Sequence, residues 1–263
     1  MNFEEKFTSV GGCEIQYRVA GEGEPVVMLH GAGGFRNDPR AFEGIAEHFR
    51  LLVPSLPGFD QSSAGTTASV IDVADVMAEF IRSVAVGSAN VIGESFGGGV
   101  STWLAIRHPE VVSRLVLAAP AGLRQEGGPP LLGLSPAEMA VILYGQAPSV
   151  QPTPEEAERR GKNRQNAGRL GSARPGFDPE LLAQLPTIKA PTLVVWGTED
   201  RMIWPSQAHY FVEGIPGARL ASIQGGPHVL SSVVPDKFLA AVLEFLGTGD
   251  ASATKTAATS RSS

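Results

Sequence analysis

The sequence predicts an α/β fold: a mostly parallel sheet covered by helices on both faces. Two observations carry this. Six continuous apolar runs each end at Gly, Pro or Ser, as in "PVVMLHG" (25–31), "LLVPSLPG" (51–58), "ANVIGES" (89–95), "SRLVLAAP" (113–120), "PTLVVWG" (191–197) and "ARLASIQG" (218–225). Such runs are the mark of strands buried on both sides, which parallel sheets require. Between them lie helical periodicities, and strands alternating with helices imply crossover connections.

The elements follow in order. Residues 7–19 alternate around Gly11-Gly12, which reads as two short strands joined by a tight turn. After the strands at 25–31 and 51–58, residues 69–84 place Val70, Val73, Val76, Met77, Phe80 and Val84 at steps of three and four. A helix over 98–107 follows the fifth strand, and residues 234–246 close the fold with a stripe of Phe238, Leu239, Val242, Phe245 and Leu246. Residues 122–186 carry no strand signal but contain short helical pieces at 137–144 and 154–169, so they read as a helical insertion. The expected organisation is therefore a core from 1–121 and 187–246, an inserted cap at 122–186, and a disordered tail at 247–263, whose small polar residues lack periodicity.

Composition narrows the function. With 43% hydrophobic and 18% charged residues, the chain has ample material for a buried core. A net charge of −6, with 21 Lys and Arg scattered along the chain, gives no footing for nucleic acid. The lone Cys13 can form neither an internal disulfide nor a zinc site. No apolar stretch approaches the roughly 18 residues of a membrane span, and the N-terminus carries no apolar leader, so a soluble cytoplasmic protein without a membrane partner is expected.

The sharpest local signal is "VIGESFGG", where Gly93-Glu94-Ser95-Phe96-Gly97 follows a buried strand and precedes a helix. A strand that turns this sharply into a helix exposes the serine hydroxyl, and side chains at Gly93 and Gly97 would strike neighbouring backbone. A hydroxyl needs a base beside it. Of five histidines, His48 and His108 lie at helix ends, His209 sits in a helix and His30 reads as a loop anchor. His228 instead lies in "QGGPHVL", after the last strand, at the sheet edge where parallel folds place their ligand sites. The orienting acid should follow another strand at that edge, and "LVVWGTED" supplies Asp200, with Glu199 as its alternative. Ser95, Asp200 and His228 are thus the candidate catalytic residues. The amide of Phe96 is a candidate oxyanion donor, and the second donor should come from "HGAGG", with Ala32 preferred and Gly33 next. That loop lacks the third glycine of a dinucleotide fingerprint and no Walker-type lysine follows, so neither cofactor nor metal is expected.

The set "LHGAGG", "SLPGFDQS", "VIGESFGG", "RHPEVVSRLVLAAPAG", "APTLVVWGTEDRMI" and "GGPHV" resembles the α/β-hydrolase superfamily over residues 10–246. The resemblance implies an eight-stranded sheet, a cap inserted after the sixth strand and a Ser-Asp-His triad between them. It also exposes two departures: Ser55 stands where many relatives have Asp, and Asp60 replaces the second glycine of the same loop.

Trp103, Leu143, Tyr144 and Trp204 are the candidate substrate-lining residues, joined in the cap by Leu131, Leu132, Leu134 and Met139. An apolar cleft fits a small hydrophobic ester better than a sugar or phosphate. A carboxylic ester hydrolase acting through an acyl-enzyme is therefore the first expectation. The second is a carbon-carbon bond hydrolase of the ring-cleavage type, whose members typically place Trp after the histidine where this chain has Val229. A receptor-like binding protein that retains the triad is the third. Ser95 argues against dehalogenases and epoxide hydrolases of similar pattern, which use Asp at the elbow. The partners expected are a small-molecule substrate and at most further copies of the same chain.

Overall fold

A computed structural model describes residues 3–35, 39–124, 134–146, 152–174 and 176–247. The tail from 248 and the cap candidates Leu131 and Leu132 lie outside the described residues.

Eight strands form one sheet in the order β1-β2-β4-β3-β5-β6-β7-β8. The antiparallel pair β1 (Glu4–Val10) and β2 (Cys13–Ala20) turns at Gly11-Gly12, whose φ values of +56° and +71° suit the mirror-image turn that hairpin twist demands. β2 is also antiparallel to β4 (Arg50–Pro54). All other pairings are parallel: β3 (Pro25–Leu29) with β4 and β5 (Ala89–Glu94), then β6 (Val112–Ala118), β7 (Thr192–Gly197) and β8 (Arg219–Ile223).

Alternation along these strands splits the core in two. Val27 and Leu29, Leu115 and Leu117, and Val194 and Trp196 face one side. Val26 and Met28, Val116 and Ala118, and Leu193 and Val195 face the other. On the first side pack α2 (Val70–Val84), α3 (Phe96–Arg107) and α7 (Ala208–Gly214); on the second, α1 (Pro39–Ala46) and α9 (Pro235–Gly247). Ser69 starts α2 with a capping box: its hydroxyl accepts from the Asp72 amide while the Asp72 carboxylate accepts from the Ser69 amide. The C-terminal helix expected over 234–246 is present one residue later. α8 (Leu230–Val233) ends before Pro235, which opens α9.

One expectation needs correction. β8 is not buried on both faces: only Ile223 is closed off, and Leu220 is 48% exposed. Its position at the sheet edge explains this, because a terminal strand has a neighbour on one side only. Between β6 and β7 lies the helical cap insertion, with α4 (Pro136–Tyr144), α5 (Pro154–Gly171) and α6 (Pro179–Gln184). The α5 helix docks through polar side chains. Asn166 donates to Pro57 O at 3.1 Å and Arg169 to Thr67 O at 3.0 Å, both in the chain that follows β4. No helix among the described residues is long and apolar enough to cross a membrane.

Candidate active site

The loops after β3, β4, β5, β7 and β8 converge at the carboxyl edge of the parallel strands. Ser95 sits between β5 and α3 with φ 56° and ψ −114°, a conformation that side chains rarely adopt. Three backbone hydrogen bonds hold it there: its N–H donates to Ala118 O, and its carbonyl accepts from Ala121 N and Gly99 N. The flanking glycines are obligatory. A Cβ at Gly93 would lie 2.3 Å from Ser101 Oγ and 2.5 Å from Gly97 O, and one at Gly97 would lie 2.2 Å from Leu29 O.

Ser95 Oγ donates to His228 Nε2 at 2.8 Å, and His228 Nδ1–H donates to Asp200 Oδ2 at 2.8 Å. The other carboxylate oxygen accepts from the amides of Met202 at 2.8 Å and Ile203 at 2.9 Å, which locks the rotamer of Asp200. His228 and Asp200 are buried while Ser95 is half-buried, so only the hydroxyl end of the chain meets a ligand. Glu199 is exposed and engages through its backbone, its N–H donating to Gly226 O. Such a relay can draw the serine proton onto the imidazole as the oxygen attacks a carbonyl.

Phe96 opens α3, and first-turn amides have no partner within their own helix. That end of the helix adjoins Ser95 and carries the positive end of the helix dipole. The 30–34 loop lies opposite: a Cβ at Gly31 would be 3.5 Å from Ser95 Cβ. Ala32 and Gly33 are therefore within the loop that faces Ser95. His30 anchors it. Its Nε2 accepts from the Leu56 amide at 3.0 Å, which assigns the proton to Nδ1, bonded to Gly31 O at 2.8 Å.

The candidate lining residues divide. Leu143 and Tyr144 end α4, and the Leu143 carbonyl accepts from Val229 N at 3.1 Å, beside His228. Trp103 lies two turns into α3, buried, with the Arg174 guanidinium over its ring at 4.7 Å. Trp204 is a surface residue after β7, 38% exposed. Trp103 is thus part of the core and Trp204 part of the surface.

Residues that sequence reasoning passed over also shape the site. Glu94 is buried and accepts from Ser231 Oγ at 2.9 Å and Ser231 N at 3.2 Å, stapling the elbow to the start of α8, just past His228. Its motif position accepts any residue, so no signal marked it. Asp60, the second departure from the family pattern, accepts from the Phe35 amide at the end of the loop that follows β3.

The profile of the alpha/beta hydrolase fold family matches residues 24–179, and the chain belongs to that family of enzymes. It is 27% identical over 259 residues to a 2-hydroxy-6-oxo-6-phenylhexa-2,4-dienoate hydrolase of Comamonas testosteroni, covering 88% of this chain and 91% of that protein. A 2-hydroxy-6-oxononadienedioate/2-hydroxy-6-oxononatrienedioate hydrolase of Burkholderia vietnamiensis is 28% identical over 266 residues, covering 88% and 90%. Among solved structures, a membrane phospholipase A described as a bacterial virulence factor superposes with a TM-score of 0.80 at 25% identity, covering 93% of this chain and 86% of that one.

Proposed function

We propose that this chain is a serine hydrolase in which Ser95 is the nucleophile, His228 the general base and Asp200 its orienting acid, and that it cleaves a carbon-carbon bond beside a ketone. The unbroken hydrogen-bonded chain from Ser95 Oγ through His228 to the buried Asp200 is the observation that carries the reaction class. In this reading Ser95 Oγ attacks the carbonyl carbon and His228 Nε2 takes its proton. The amides of Phe96 and Ala32 or Gly33 receive the oxyanion. Collapse expels the leaving group, which takes the proton from the imidazolium. Water, deprotonated by His228, then releases the acyl group.

The triad serves an ester or a ketone equally, since both pass through the same acyl-enzyme; the leaving atom alone differs. The choice rests on the relatives, several of which are named as oxo-dienoate hydrolases. In such a substrate, transfer of the 2-hydroxyl proton to C5 gives the 2,6-diketone, from which the departing C5 can spread its electron pair through the C3–C4 double bond onto the C2 oxygen, where the imidazolium proton is received. This reverses the order of the two readings set by sequence. Val229, where members of the ring-cleavage type typically carry Trp, is buried and donates its amide to Leu143 O of the cap. The ester reading stays second on the likeness to the phospholipase A.

The deciding experiment compares 2-hydroxy-6-oxo-6-phenylhexa-2,4-dienoate with p-nitrophenyl esters of graded acyl length. The proposal expects release of benzoate and the five-carbon hydroxydienoate by the wild type and none by Ser95→Ala. Ester turnover with dienoate left intact would establish the ester reading instead.

A further inference from the structure

Asp60 occupies a backbone conformation, φ 46°, that glycine adopts without strain, yet it carries a side chain that is 5% exposed. Its carboxylate is fully used. Oδ2 accepts from the Phe35 amide at 2.9 Å and lies 3.0 Å from the Ser55 hydroxyl, whose single proton it shares with Phe59 O at 2.9 Å; Oδ1 accepts from Asn163 Nδ2 at 2.8 Å and from Arg159. Asn163 returns a bond, its Oδ1 accepting from Asp60 N at 3.0 Å. Burial pushes the carboxyl up, but the hydrogen bonds from the Phe35 amide and Asn163 and the Arg159 charge outweigh it and hold Asp60 below the ordinary carboxylate range. The group is an anion at neutral pH.

The other ends of these bonds fall on one short stretch. Asn163 Nδ2 also donates to Gly33 O at 3.1 Å, Arg159 donates to Phe35 O at 3.1 Å, and Gly34 N closes the turn on Gly31 O. Every peptide group from Gly33 to Phe35 is thus gripped by Asp60, by the two α5 residues that flank it, or by the turn itself. Arg159 and Asn163 are one helical turn apart, so a single face of the cap helix makes both contacts.

We propose that Asp60 is a positioning residue: it fixes the oxyanion-donor loop at residues 31–35 and ties that loop to the seating of cap helix α5. The inference rests on the serine-hydrolase reading above. Amide donors act only when aimed at the developing oxyanion, and a misplacement near 1 Å costs about 100-fold in rate. With Asp60, Asn163 and Arg159 bonded, the cap is down and the Ala32 and Gly33 amides are held in line. When α5 lifts, the loop loses the same bonds. Ser55 fits this arrangement, because a hydroxyl can donate to Asp60 where a second carboxylate would repel it.

The test needs no known substrate. A fluorophosphonate probe is titrated against wild type, Asp60→Gly and Arg159→Ala, and the maximal inactivation rate is separated from the probe's binding constant. Asp60→Gly suits the backbone and removes only the carboxylate; Arg159→Ala trims a part-exposed cap residue and gives the same readout should Asp60 be needed for folding. The expected result is a fall of about 10- to 100-fold in the maximal rate for Asp60→Gly and several-fold for Arg159→Ala, with probe binding within about threefold of wild type. The double variant should lose little beyond Asp60→Gly, because the two act as one unit. Wild-type protein that takes no label at Ser95 overturns the serine-hydrolase reading and this inference with it. Labelled wild type with an unchanged maximal rate in the variants, or a loss confined to probe binding, overturns this inference alone.

Discussion

Nδ1 of His228 and Oδ2 of Asp200 lie 2.8 Å apart, with both side chains closed to solvent. Twenty-eight residues separate them in sequence, and β8 intervenes. The bond selects one imidazole tautomer, the one whose Nε2 accepts from Ser95. Asp200→Asn keeps the shape but removes the charge and favours the wrong tautomer. By analogy with the serine proteases, kcat should fall by about 10⁴-fold with KM little changed. Glu199→Gln, one residue away but exposed, should stay within a few-fold of wild type. Steady-state kinetics of the two variants check this, and the reverse ranking would transfer the role to Glu199.

Covalent chemistry can be checked by mass. A fluorophosphonate should add once per chain, on the peptide that contains Ser95, with inactivation in parallel. Ser95→Ala should take up none. Adding His228→Ala to Ser95→Ala should cost almost nothing further in kcat, since members of a triad act as a unit. Additive losses would show that the two residues work independently.

The elbow predicts a stability contrast between glycines. Gly97→Ala would drive a Cβ against the carbonyl oxygens of Leu29 and His30, at 2.2 and 2.6 Å, and backbone cannot swing aside. A loss of about 1–3 kcal/mol or more is expected, as for overpacked cores. Gly168→Ala, on α5, meets nothing within 4 Å and should gain about 0.5–1 kcal/mol from helix propensity. Urea midpoints of the two variants measure the difference. A Gly97→Ala protein as stable as wild type would mean that the elbow has room the structure does not show.

Asp178 gives a pH dependence. Burial pushes its carboxyl up, but the Arg174 guanidinium and the amides of Leu181 and Glu180, which it caps, pull it further down, so the net shift is downward. A depressed folded pKa means that the stabilisation is complete above the unfolded value, about 3.9, and is lost as pH falls through the folded value. Asp178→Asn should therefore be less stable than wild type at pH 7, with the gap narrowing below about pH 4. Denaturation midpoints at pH 7 and pH 3 report it. An equal gap at both would show that the charge contributes nothing.

Much of this molecule is written locally. The apolar runs that became β3 to β7 need only a buried, two-faced environment to be strands. The Gly-Gly turn of β1 and β2 and the capping box at Ser69 are settled by residues within a few positions of each other. The elbow around Ser95 is legible for the same reason: its glycines answer to backbone that the strand-to-helix turn always brings near. Ser95, Asp200 and His228 each follow a strand run, so their common position at the carboxyl edge of the sheet is also readable along the chain.

Only the tertiary structure decided the rest, because those features join residues that the crossovers bring together from far apart in the chain. Ser95 and His228 are 133 residues apart, and their 2.8 Å bond depends on β5 and β8 ending on one edge of the sheet. Asp200 is preferred over its neighbour Glu199 from sequence, but it is the packing that buries the first and exposes the second. Leu220 sits in a run that reads as core and is exposed because β8 ends the sheet. Asp60 and Asn163 are 103 residues apart, one in a core loop and the other on a cap helix, so sequence could flag Asp60 as unusual without naming the loop it holds. Periodicity and turn chemistry report a residue's immediate neighbours along the chain; a buried carboxylate is defined by donors from elsewhere, and those become its neighbours only when the sheet closes.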